Sequence, residues 1–106
     1  MFARSVMVRL KPNVQNDFNN VMENSVLPIL RRQAGFRDLI ALINEDGTEA
    51  TSISLWDNRE SAQGYNNTTY KEVLSKVQNY IEGSPTVRVS NVIHSTVHKI
   101  STGKAA

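Results

Sequence analysis

Apolar and polar residues alternate over Phe2–Lys11. Val6, Val8 and Leu10 share one face, and Ser5, Arg9 and Lys11 lie mostly on the other. Period-two alternation predicts a strand, and Pro12 ends it. Met7 falls on the polar side, so that face is not wholly wet. From Asn13 the period lengthens: Val14, Phe18, Val21, Met22 and Val26 recur every three or four residues, which predicts an amphipathic helix. Pro28 should kink or restart it, because the ring collides with the carbonyl four residues back. Gly35 supplies a C-terminal stop.

Phe36–Asn44 predicts a second strand with apolar residues on both sides: Ile40 and Leu42 on one, Leu39, Ala41 and Ile43 on the other. A strand apolar on both faces needs cover on both. Glu45-Asp46-Gly47 reads as a hairpin turn, Asp-Gly being a favoured dipeptide there. Glu49–Trp56 returns as the third strand, with Ile53 and Leu55 on one face and Ser52, Ser54 and Trp56 on the other. Two small hydroxyl residues beside a large indole fit a pocket wall, and they fit close packing of a helix equally well.

Asp57-Asn58 opens the next helix, Asp57 and Glu60 forming an aspartate version of the capping box. Asn66-Asn67-Thr68-Thr69 should interrupt it. Thr69 with Glu72 then opens a second segment with the apolar stripe Val73, Leu74, Val77, Tyr80 and Ile81, closed by Gly83-Ser84-Pro85. A last strand is expected from Thr86 to about Ile100, more than twice the usual length of about 5–6 residues. A strand that overhangs its own sheet leaves unpaired edges, which pairing across a dimer would cover. Residues 101–106 are expected to fray.

The predicted order is β-α-β-β-α-β, the ferredoxin-like split β-α-β topology of the α+β class, with a four-stranded antiparallel sheet and helices on one face. One helical layer cannot cover both sides of the second strand, so the pattern predicts a homodimer with the two sheets face to face, a dimeric α+β barrel. Residues 1–100 form its single domain.

Composition narrows the chemistry more than the fold. The 106 residues suit one domain. Cysteine is absent, which excludes disulfides, thiolate metal sites and cysteine nucleophiles. The formal charge of +2 is spread from Arg4 to Lys104 and forms no cationic stripe, which argues against a nucleic-acid partner. No apolar run approaches the roughly 18 residues of a membrane span. The opening MFARSVMVRLKP lacks the apolar block of a signal peptide, so a cytoplasmic location is expected.

The strand entry Gly35-Phe36, the pattern ISLWDN at Ile53–Asn58 and the helix after it resemble the antibiotic biosynthesis monooxygenase family of the dimeric α/β-barrel superfamily. The close of the chain, GSPTVRVSNVIHSTVHKI, is similar to an uncharacterised subgroup. The resemblance implies a cofactor-independent monooxygenase acting on a small aromatic or polyketide-like compound. The alternatives are a non-catalytic ligand-binding or stress-responsive protein, or an isomerase or cyclase in the same cavity. In the haem-degrading branch an asparagine on strand one, a tryptophan on strand three and a histidine on the next helix act together. Here Trp56 matches, Tyr65 takes the place of the histidine, and Phe2–Lys11 has no asparagine. Haem is therefore not expected, and no cofactor is. A tyrosinate at Tyr65 could ligate ferric iron only with a cation nearby, for which Arg37 is the candidate.

A cofactor-free oxygenase needs an apolar cavity, a base that forms the substrate anion, and hydrogen bonds that hold it. Trp56 is the candidate stacking wall for a small hydrophobic or aromatic ligand, with Tyr65, Ser54 and Ser52 beside it. The competing reading makes Trp56 a core aromatic and Tyr65 a helix residue packed on the sheet. His94 and His98 are candidate bases, since they titrate near neutrality. On one straight strand, four residues at about 3.3 Å each hold them roughly 13 Å apart, too far to share a metal. No metal site is expected. Tyr65 and Tyr70 flank the polar run Asn66–Thr69, a candidate lid. A histidine on the cavity wall would favour catalysis; a wall of Trp56, Tyr65 and aliphatic residues would favour binding.

Overall fold

The computed structural model describes residues 1–100, and the expectation for 101–106 lies outside them. The strands are β1 (Phe2–Leu10), β2 (Phe36–Ile43), β3 (Glu49–Trp56) and β4 (Ile81–Asn91). They form one sheet in the order β2-β3-β1-β4 with every pairing antiparallel, the ferredoxin-like arrangement. The helices α1 (Gln15–Val21), α2 (Leu27–Arg31), α3 (Arg59–Thr68) and α4 (Tyr70–Val77) cover one face.

Register decides which side chains meet those helices. Trp56 stands opposite Phe2 and Phe36, Ser54 opposite Arg4 and Leu39, and Ser52 opposite Val6 and Ala41. Cross-strand partners share a face, so this row lies under the helices with Phe18, Val26, Leu30, Val73 and Val77 packed on it. The other face carries Met7, Ile40 and Leu42, which remain 38%, 48% and 52% exposed. The two-sided apolar pattern of β2 is therefore real, and in the single chain its second side faces outward.

Between α1 and α2 the helix continues through a π turn over Met22–Val26, where the Leu27 N–H bonds to the Met22 carbonyl five residues back. A proline removes a helical donor and crowds the carbonyl four residues before it. The wider turn precedes Pro28 and lets the run go on to Arg31, so the helix is rewound where a kink or restart was expected.

Three other expectations need correction. Asn58, not Asp57, caps α3: its Oδ1 accepts from the Ser61 amide at 2.9 Å. Asp57 instead ties two strands together. Its amide donates to the Gly35 carbonyl at 2.8 Å, and its carboxylate pairs with Arg37 at the register shift between Phe36 and Asp38. Helix α3 runs through Asn66–Thr68 and breaks only at Thr69, whose side chain makes no cap and meets Gln33 Oε1 at 3.3 Å. The last strand is shifted: it begins at Ile81, passes through Gly83-Ser84-Pro85 at an irregularity in its pairing with β1, and ends at Asn91. Gly83, at φ +70°, takes the left-handed conformation, so the triplet read as a helix stop is accommodated inside a strand. His94 and His98 thus share no strand. Val92 bonds back to the Met1 carbonyl at 3.0 Å, and His98 reaches Asp38 on β2. No helix among the described residues is long and apolar enough to cross a membrane.

Gly35 shows how tightly the α2–β2 turn meets α3. At φ +80°, a Cβ there would lie 2.2 Å from Ser61 Oγ and 2.5 Å from Ser61 Cβ. At Gly83 a Cβ would meet nothing within 4 Å. Gly83→Ala should cost about 1–2 kcal/mol from the left-handed backbone alone. Gly35→Ala should cost clearly more, because Ser61 must also move. Urea denaturation of both variants checks this; equal losses would remove the close approach at Gly35 as a constraint.

Candidate functional site

A cavity of about 60 Å³ lies between the sheet and the helices. Val6, Val8 and Ser52 form its floor, Phe18, Met22 and Leu74 its apolar sides, and Arg4, Tyr65 and Tyr70 its polar end. Each element contributes for a local reason. The even-numbered positions of β1 point under the helices, and the π turn carries Met22 and Val26 to the wall. The break at Thr69 starts a new helix at Tyr70, so two tyrosines from successive helices converge, their ring centroids 6.1 Å apart.

Trp56 is fully enclosed and stands behind Tyr65, off the wall of the cavity. The two rings stack at 5.1 Å with 29° between planes, and Phe36 meets the indole edge-on at 5.6 Å. The indole N–H donates to Ser54 Oγ at 2.9 Å, and that hydroxyl donates to the Arg4 carbonyl at 3.2 Å. Ser54 borders the cavity, but its hydroxyl already serves the tryptophan and the backbone. Ser52 and Tyr65 are on the wall. His94 is exposed, and His98 pairs with Asp38; neither borders the cavity.

The cation beside Tyr65 is Arg4, whose guanidinium lies 5.4 Å from the Tyr65 ring centre and 4.0 Å from that of Tyr70. Arg37, the sequence candidate, is taken by Asp57. Arg4 was legible in principle. It occupies an even position of β1 among Phe2, Val6, Val8 and Leu10, where the alternation demands an inward side chain. Burial pushes the Tyr65 hydroxyl up to about 12; Arg4 pulls it down and Tyr70 adds to the rise. Desolvation dominates, so Tyr65 is neutral and a hydrogen-bond donor at neutral pH. Among the described residues, no group of three or more His, Cys, Asp or Glu side chains could hold a metal ion.

The chain matches no protein-family model, and no curated protein matches it significantly. Solved structures do match. A monooxygenase from the gene ActVA-Orf6 of Streptomyces coelicolor, in complex with Nanaomycin D, superposes with a TM-score of 0.75 at 14% identity, covering 92% of each chain. SnoaB, a cofactor-independent oxygenase from Streptomyces nogalater, gives 0.75 at 10% identity, over 92% of this chain and 97% of that one. A protein of unknown function from Nitrosomonas europaea gives 0.75 at 13%, over 92% and 94%. The fold is that of the antibiotic biosynthesis monooxygenases. At 10–14% identity the likeness shows the fold and not the reaction.

Tyr65 supplies a test of the site's dryness. Its hydroxyl titrates at about 12 in the folded chain against 10.0 for an ordinary tyrosine. Between those values the unfolded chain gives up the proton first, so stability falls as pH rises. The contribution is complete below about pH 10, and its loss by pH 12 is on the order of 2 kcal/mol. Urea unfolding of wild type and Tyr65→Phe between about pH 9 and pH 12 should show a steeper decline for wild type; parallel declines would mean that the hydroxyl is wet.

Proposed function

We propose that this chain is a cofactor-independent monooxygenase of a small aromatic compound bound in the Arg4–Tyr70 cavity. The observation that carries the reading is the cavity itself: apolar on floor and sides, aromatic and polar at one end, and set between sheet and helices. The fold shared with SnoaB, a cofactor-independent oxygenase, and with the ActVA-Orf6 monooxygenase supports it. In such a reaction the substrate is the sole reductant and supplies all four electrons, giving up two hydrogens for the oxygen atom it gains (RH2 + O2 → RO + H2O). One atom of dioxygen enters the substrate, the other leaves as water, and no external reductant is consumed. The cavity of about 60 Å³ is small beside the roughly 300–1,000 Å³ of sites for drug-sized ligands and the roughly 150 Å³ of a cavity that holds benzene, so a single ring enters only as the wall gives way, and a fused polycycle is disfavoured further. A porphyrin does not fit that volume either, and haem is no part of the proposal.

A second reading, ligand binding without chemistry, is favoured by one observation. Among the described residues, no group on the wall is a base near neutrality: Tyr65 holds its proton to about 12, and both histidines lie elsewhere. An oxygenase built this way needs a substrate that is already acidic. Because Trp56 stacks on Tyr65, a bound ring should perturb tryptophan emission. A panel of phenols, hydroquinones and anthrone-like polycycles should give single-ring hits that shift this emission and raise the melting temperature. Hits that also consume oxygen would support the monooxygenase; hits without oxygen uptake would leave binding as the function. No response from any compound would remove the cavity as a ligand site.

The proposal includes a homodimer. Met7, Ile40 and Leu42 form an apolar surface on the helix-free face, opposite the cavity, and a second copy presenting the same sheet would bury it. Light scattering should give twice the chain mass for wild type and a monomer for the doubly substituted Ile40→Asp, Leu42→Asp chain. A monomeric wild type would overturn the face-to-face pairing.

A further inference from the structure

Arg4 is 3% exposed on the inner face of β1, yet neither ion pair among the described residues involves it. A guanidinium carries five N–H donors. Among the described residues it makes one side-chain hydrogen bond, to Asn66 Oδ1 at 2.9 Å, and its remaining company is the faces of Tyr70 and Tyr65. Ring faces attract a cation but do not neutralise it, and a buried charge ordinarily has a counter-ion. A second unmet group lies next to it. The Tyr70 hydroxyl is buried with no hydrogen-bond partner among the described residues. Both residues line the same, otherwise largely aliphatic cavity. Arg4 also borders a groove of about 310 Å³ lined by Phe2, Arg59, Gln63 and Asn66, where the Arg59 guanidinium stands 5.4 Å from the Phe2 ring centre. A second cation thus flanks the approach to the first.

We infer that the ligand of this cavity is an anion: a single planar ring bearing a carboxylate or phenolate oxygen, which Arg4 neutralises and the Tyr70 hydroxyl donates to. The inference rests on the cavity being a ligand site and adds the charge of what it takes. It also answers the missing base, because a ligand that arrives ionised, or is acidified by the guanidinium, needs none on the wall.

The test uses two matched pairs, benzoate against benzamide and 4-nitrophenol against nitrobenzene, titrated into the full chain with Trp56 emission as readout. Wild type should bind each anion at least about 10-fold tighter than its neutral partner, the scale of a hydrogen bond to a charged group. Arg4→Gln should erase the gap, Arg4→Lys should keep part of it, and Tyr70→Phe should narrow it several-fold. The absorbance of bound 4-nitrophenol should show its apparent pKa lowered; a rise, as an uncharged apolar cavity would cause, together with no preference for benzoate overturns the anion. A lowered pKa with no benzoate preference would identify a phenolate, and a benzoate preference alone a carboxylate. Neutral rings that bind as tightly as anions, or a gap that survives Arg4→Gln, would overturn the inference while leaving an aromatic cavity. Silence from all four compounds would overturn both. The wild-type gap and the nitrophenol titration decide the matter even if Arg4→Gln does not fold.

Discussion

The constraint on which the helix-covered side depends is the complete enclosure of Trp56. An indole that sees no water must have its N–H answered inside the protein, since an unmet buried donor costs about 1–3 kcal/mol. Ser54, two residues back on the same face of β3, answers it at 2.9 Å. A larger residue at 54 would lose that bond and fill the floor of the cavity. The hydroxyl donates a hydrogen bond in turn to the Arg4 carbonyl on β1, so the tryptophan, the serine and the β1–β3 register form one connected unit. Tyr65 closes the stack from α3, and Phe36 closes it from β2. Three strands and a helix are thus fixed around one ring.

The cavity is what this packing leaves unfilled. Small residues at 52 and 54 lower the floor, the π turn shapes the wall around Met22, and the break at Thr69 lets Tyr70 approach Tyr65 at 6.1 Å. Trp56 therefore acts on the site at one remove. It holds the back of Tyr65, while the front of Tyr65 and the guanidinium of Arg4 face the space.

Strand and helix order was readable because burial imposes a period, and periods survive in sequence. Local capping and termination were less readable, because several residues nearby offer the same chemistry. Asp57 and Asn58 are both good caps; Asn58 takes the role, while Asp57 is engaged by Gly35 and Arg37. Gly83-Ser84-Pro85 has the composition of a stop, yet a strand with an irregular register absorbs it. A strand running to Ile100 would carry both histidines; β4 ends at Asn91, so they lie beyond it. Arg4 was overlooked although its phase on β1 was correct, because a cation at an apolar position reads as an exception to the pattern.

That exception bears on Tyr65. Two effects compete at its hydroxyl: burial disfavours the charged form, and Arg4 at 5.4 Å from the ring favours it. Burial wins, and the phenol stays neutral to about 12. Had Arg4 won, the tyrosinate would have been its counter-ion, leaving a closed, self-neutralised pair with nothing to offer a ligand. Because the tyrosine keeps its proton, the positive charge of Arg4 is left uncompensated at the end of an apolar space. A tyrosine is neutral at neutral pH even at its ordinary value of 10.0, and burial extends that state to higher pH; the same dryness strengthens whatever anion meets the demand of Arg4.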